Sequence, residues 1–104
     1  MRILSNIALM LISTGIAVWA ADTKAGQSVY ARACQSCHGP NGAGVAAAAK
    51  MLKAEIRDLK VATKTMSDAD VRKIVVEGKG KMVATKGVAG ADLDSVIAYV
   101  RTLK

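Results

Sequence analysis

The sequence predicts an all-α domain of three to four helices joined by long irregular loops. Three observations carry that prediction. Apolar residues recur at helical spacing in three separate stretches, and no segment reads as a strand of consequence. Glycine-bearing segments, Gly39 to Gly44 and Gly78 to Met82, break the helical pattern twice. A chain of 104 residues has room for one small domain.

At the start of the chain, Arg2 precedes an uncharged stretch from Ile3 to Ala21 with an apolar centre, Ile7 to Ile12, and a small-residue end at Val18-Trp19-Ala20. This is the layout of a secretory signal cleaved after Ala20. Residues 1–20 are therefore expected to be a cleavable signal and 21–104 the domain, exported to the periplasm. The alternative is an uncleaved membrane anchor, since 19 uncharged residues approach the length of a span. Ser5, Asn6, Ser13, Thr14 and Gly15 dilute the apolar run, and the next element begins near Lys24 with almost no linker. No stable membrane insertion is expected after cleavage.

The first helix is expected from about Lys24 to Ser36, with Gly26, Val29, Tyr30 and Ala33 at helical spacing. The loop Gly39-Pro40-Asn41-Gly42-Ala43-Gly44 follows, and Ala46 to Lys53 suits a short alanine-rich helix. Ala54 to Lys64 shows no clear pattern. Ser67 is placed as the N-cap of the next helix, with Asp68 and Asp70 in its first turn, and Met66 and Val71 stand where a hydrophobic staple would pair them. Gly78 stops that helix and opens a flexible loop. The last helix, about Ala89 to Leu103, carries the stripe Leu93, Val96, Ile97, Val100, Leu103.

Composition points to a prosthetic group. Without residues 1–20 the chain has two tyrosines, no Phe and no Trp. A domain this small usually needs a staple. Two cysteines three positions apart close too small a loop to provide one as a disulfide. Long loops in so short a chain are also unusual unless they wrap something.

Cys34-Gln35-Ser36-Cys37-His38 identifies the group, because C-x-x-C-H is the pattern of c-type haem attachment. Two thiols about one helical turn apart can add to the two vinyl groups on one porphyrin edge, and the following His turns its ring under the macrocycle to reach the iron. A zinc site needs about four ligands; the sequence offers Cys34, Cys37 and His38 alone of the Cys and His types. A thioredoxin-like pair needs a βαβ framework, which is lacking. One haem c site follows, and bis-histidine ligation within a monomer is excluded. A carbonyl from the loop Pro40 to Ala48 is expected to hold the second ring nitrogen of His38.

The sixth iron position falls to a Met, a Lys or other amine, water, or nothing. Met51, Met66 and Met82 lie outside the signal. Met66 already serves the staple, and Met51 lies only 13 residues beyond His38. Met82, on a glycine-bracketed loop between two helices, is best placed to reach the opposite face. A thioether is a soft ligand that favours reduced iron.

Gly26…Tyr30…Cys34-x-x-Cys37-His38-Gly39, then Gly78-x-Gly80-Lys81-Met82, then Ala98-Tyr99-Val100-Arg101 together resemble a small bacterial class I cytochrome c over essentially all of residues 22–104. The resemblance implies the cytochrome c fold, with loops around one covalent haem. It also implies thioethers at Cys34 and Cys37 and axial ligands His38 and Met82. The first and last helices would cross near Gly26 and Tyr30, with Tyr99 opposite. Two positions depart from the family pattern: Val83 stands where Pro commonly follows the ligand Met, and Ala89 and Gly90 replace a Ser or Thr cap.

The leading functional expectation is a soluble one-electron carrier, not an enzyme. The domain without the signal keeps 14 basic against 8 acidic residues, formally +6. Lys79, Lys81 and Lys86 flank Met82, so redox donors and acceptors with an acidic docking surface are the expected partners, met by a monomer. Nucleic acid is not expected, because basic runs interleaved with aromatics are missing. The alternatives are an open-site haem protein that binds or transforms small ligands, and a haem subunit delivering electrons to a membrane oxidase or reductase. A thiol–disulfide oxidoreductase with free cysteines is a third.

Overall fold

The structure is a computed structural model and describes residues 22–104. The expected signal, 1–20, lies outside the described residues. Six α-helices follow in order: α1 (Thr23–Ala33), α2 (Gln35–His38), α3 (Ala46–Leu52), α4 (Leu59–Ala62), α5 (Asp68–Glu77) and α6 (Gly90–Val100), with a 3-10 turn at Thr63–Thr65 after α4. Among the described residues no strand is present, only an isolated bridge between Lys79 and Met82. None of their helices is long and apolar enough to cross a membrane.

Asp22 starts α1, its carboxylate accepting from the amides of Lys24 and Ala25. The expected single helix to Ser36 is two. Cys34, at φ −125°, leaves the helical region, and the chain restarts as α2. Ser67 caps the start of α5 as expected, and with Asp70 it forms a reciprocal capping box. The N-terminus of α6 has no side-chain cap, with Ala89 in the cap position. That helix ends at Val100 instead of Leu103, because its last turn tightens: the amides of Thr102 and Leu103 donate to the Tyr99 and Val100 carbonyls, three residues back.

The core sits where α1 and α6 cross. Val29, Tyr30, Val75, Val88, Leu93, Val96 and Ile97 are its buried side chains, and α5 contributes only Val75. Gly26 makes the crossing close. A Cβ there would lie 2.0 Å from the Ser95 carbonyl oxygen and 2.8 Å from Tyr99 Cβ, so any side chain forces the helices apart. Tyr30 and Tyr99 pack as a tilted pair with ring centroids 5.3 Å apart. This is the arrangement of Gly26, Tyr30 and Tyr99 that the resemblance implies.

Arg101 closes the far end of α6. Its guanidinium donates to the Thr63 carbonyl at 2.5 Å, to the Met66 carbonyl at 2.7 Å and to the Asp68 carboxylate at 2.9 Å. One planar fork thereby satisfies two loop carbonyls and an acid in the first turn of α5.

Candidate haem site

The structure gathers Cys34, Cys37 and His38 on one turn. The Cys34 carbonyl accepts from the amide of His38 at 3.0 Å and of Cys37 at 3.3 Å, which coils the motif into α2. Neither cysteine is in a disulfide, and both are half-buried. Burial pushes the Cys34 thiol up, and Arg32 opposes that shift in part.

The segment after His38 folds back over α2. The amide of Gly44 donates to the His38 carbonyl at 2.7 Å, and that of Val45 to the Cys37 carbonyl at 2.9 Å. Three further ties hold this loop from outside. The buried Tyr30 hydroxyl donates to the Gly39 carbonyl at 2.5 Å. The Leu59 amide donates to the Gly42 carbonyl at 2.8 Å, and Lys60 Nζ to the Asn41 carbonyl at 2.9 Å. Gly42 has φ +75°, the left-handed region that favours glycine, and a Cβ there would also press on the tip of the Leu103 side chain at 2.9 Å.

Burial lowers the pKa of His38, favouring the neutral imidazole, whose unprotonated nitrogen can serve a metal. Its Nδ1 is buried without a hydrogen-bond partner among the described residues. The expected loop carbonyl is therefore not bonded to it. Within that loop the Asn41, Gly42 and Val45 carbonyls accept from Lys60, Leu59 and Ala49 instead. A buried ring nitrogen in this condition costs about 1–3 kcal/mol unless something engages it. Two half-buried cysteines one turn apart, followed by a neutral imidazole, form a donor set that fits haem c.

Met82 stands apart from this cluster, between α5 and α6. The sequence suggests a flexible loop, but the structure has a closed hairpin. Lys79 N donates to the Met82 carbonyl at 2.9 Å, and Met82 N to the Lys79 carbonyl at 3.0 Å. Gly80, at φ +57°, takes the first central position, and Lys81 keeps a negative φ, as a type II′ turn requires. Thr85 N then donates to the Val75 carbonyl at 2.8 Å and returns the chain to α5. Met82 and Met66 are half-buried, whereas Met51 at the end of α3 is 82% exposed. Lys79, Lys81 and Lys86 are all exposed around the hairpin.

The residue pattern missed the Tyr30 hydroxyl and the Arg101 fork, since a bond to a carbonyl leaves no trace in the partner's side chain. The hairpin was readable: a glycine at the first of two central turn positions is a type II′ signal.

Helices crossing at a glycine, with a C-x-x-C-H turn between them, define a small c-type cytochrome of class I. The chain belongs to the family whose model, described as Cytochrome C oxidase, cbb3-type, subunit III, matches residues 21–100. It is similar to cytochrome c6 of Picosynechococcus sp. (strain ATCC 27264 / PCC 7002 / PR-6), at 34% identity over 110 aligned residues covering 96% of this chain and 92% of that one. Cytochrome c-554(547) of Halothiobacillus neapolitanus is 28% identical over 91 residues, covering 82% of this chain and all of that one. The solved structure of the KustC0563 c-type cytochrome is alike in fold, with a TM-score of 0.61 at 24% identity over 76% of this chain and 96% of that chain. The protein is thus an electron-transport cytochrome with one covalently bound haem c.

Proposed function

We propose that the protein is a diffusible one-electron carrier of the periplasm, without enzymatic activity of its own, whose iron is held between His38 and Met82. When bound, haem c supplies an iron that takes up and releases a single electron. Cys34 and Cys37 would anchor it through thioethers, and His38, kept neutral by burial, would give a nitrogen to the iron. Met82 would close the other face with its thioether, excluding small ligands and keeping the coordination alike in both redox states.

The observation that carries this reading is the hairpin. A methionine held by two reciprocal backbone hydrogen bonds at the end of a core helix is built to stay in one place. Met51, exposed on a short helix, has no such support. We place cleavage of the signal after Ala20 and read the mature domain, 21–104, as a monomer. Its partners would be redox proteins with acidic surfaces, drawn to Lys79, Lys81 and Lys86.

The test is the absorption spectrum of the oxidised wild type and of Met82→Ala. The weak near-infrared iron–sulfur band should be present in the first and lost in the second, and reduced Met82→Ala should bind carbon monoxide rapidly. A band that persists in Met82→Ala removes Met82 as the ligand and makes Met51 the candidate. Haem released by denaturing extraction would exclude thioethers at Cys34 and Cys37. Changing Lys79 and Lys81 to Gln should slow reaction with an acidic partner and flatten its salt dependence; unchanged kinetics would discard the docking surface.

A second reading has one observation in its favour: the matching family model carries the description of an oxidase subunit. The protein would then pass its electron to a membrane oxidase within a stable assembly. Co-purification with such an oxidase at high salt separates this from a diffusible carrier.

A further inference from the structure

Gly78 ends α5 at φ +79° and ψ 171°, a conformation that is essentially confined to glycine. Its surroundings are equally restrictive. A Cβ at this position would lie 2.7 Å from the Met82 carbonyl oxygen, 2.8 Å from the Ala84 amide nitrogen and 3.1 Å from the Val83 carbonyl carbon. All three are backbone atoms of the segment that carries Met82, so none can swing aside as a flexible side chain would. The Met82 carbonyl is also the acceptor of the Lys79 amide. The face of Gly78 that lacks a side chain is therefore the surface on which the hairpin rests.

We propose that Gly78 is the positioning residue for Met82, taking over the role that a proline after the methionine would otherwise fill. The inference rests on the reading of Met82 as the iron ligand and deepens it. A proline restricts the loop by fixing φ at one residue. Here Val83 occupies that place, and the restriction comes from below. The end of α5 holds the hairpin at backbone contact distance, and the bond from Thr85 N to the Val75 carbonyl fixes the return strand to the same helix. The ligand loop and α5 thereby form one unit.

Gly87 offers a matched control. It has φ +84°, but a Cβ there would meet nothing within 4 Å. Alanine at 87 carries the strain of a positive φ without pressing on any neighbour; alanine at 78 also carries the strain of a positive φ and in addition presses on the backbone of Met82, Val83 and Ala84.

The experiment compares oxidised holoprotein of wild type, Gly78→Ala, Gly87→Ala and Met82→Ala, reading the near-infrared iron–sulfur band and the affinity for added imidazole. Gly78→Ala should lose most of the band and bind imidazole roughly tenfold or more tightly, while Gly87→Ala retains the band and the wild-type affinity. If Met82→Ala removes the band yet Gly78→Ala behaves like Gly87→Ala, the positioning role is overturned and the ligand stands. If Met82→Ala keeps the band, the ligand reading falls and takes this role with it. Should Gly78→Ala not fold, denaturation of the wild type decides: the band and the helical signal should disappear together, and loss of the band well before helicity overturns the proposal.

Discussion

The two segments proposed to hold the haem are themselves held in different ways. The Cys34–Val45 side is held from several directions: Tyr30 of α1, Leu59 and Lys60 of α4, and its own amides at Gly44 and Val45 all fasten it. The Met82 side is held by its own backbone, through one hairpin, one close contact at Gly78 and one bond from Thr85 to α5. Distributed ties degrade gradually when one is lost. A local backbone device fails at once or not at all, because it has no side chain to trim.

That contrast can be broken most severely at the helix crossing on which the first side depends. Gly26→Ala places a methyl group against the Ser95 carbonyl and should cost about 3 kcal/mol or more. Guanidinium unfolding of the holoprotein should show a greatly lowered midpoint. A midpoint equal to that of the wild type would mean the helices do not approach here.

Tyr30→Phe should have an intermediate effect, about 1–2 kcal/mol, because the loop keeps its other ties. It also has a distinctive pH dependence. Burial, with smaller contributions from Cys34 and Tyr99, pushes the Tyr30 hydroxyl up from 10.0 to about 12. Its proton is held more tightly in the folded state, so its contribution is complete below pH 10 and declines between pH 10 and about 12. Stability of the wild type should therefore fall more steeply over that interval than stability of Tyr30→Phe. Identical slopes would show that the hydroxyl is not buried against Gly39.

The smallest effect belongs to neither side. Ala89→Ser supplies the cap that α6 lacks and should add about 1 kcal/mol without moving the absorption spectrum. A spectral change would mean that the start of α6 bears on the haem.

Much of this architecture was legible in the residues. The Ser67 N-cap, the apolar stripe of the last helix and the Cys34-x-x-Cys37-His38 spacing all depend on neighbours in sequence, where periodicity and spacing are informative, whereas the reciprocal bond from Ser67 N to Asp70 was not foreseen. The region from Ala54 to Lys64 was not legible. Its helix α4 is only four residues long, capped by Asp58, and its first amide bonds to Gly42 instead of to its own turn. Such a segment owes its shape to tertiary partners. The break at Cys34 was hidden for a similar reason, since Ala33-Cys34-Gln35 has nothing that ends a helix by propensity. The partnerless ring nitrogen of His38 depends on where other loop carbonyls are spent, and no local pattern records that.

The crossing of α1 and α6 also bears on the order of events as the protein matures. Gly26 meets Ser95, so the first described helix finds its partner only in the last. A contact so distant along the chain carries a loop-closure cost and cannot form until both helices have been made. A chain emerging from its amino end consequently presents Cys34 and Cys37 before α6 exists to shut the core over α1. In that interval the thiols can be reached with no α6 packed beside them.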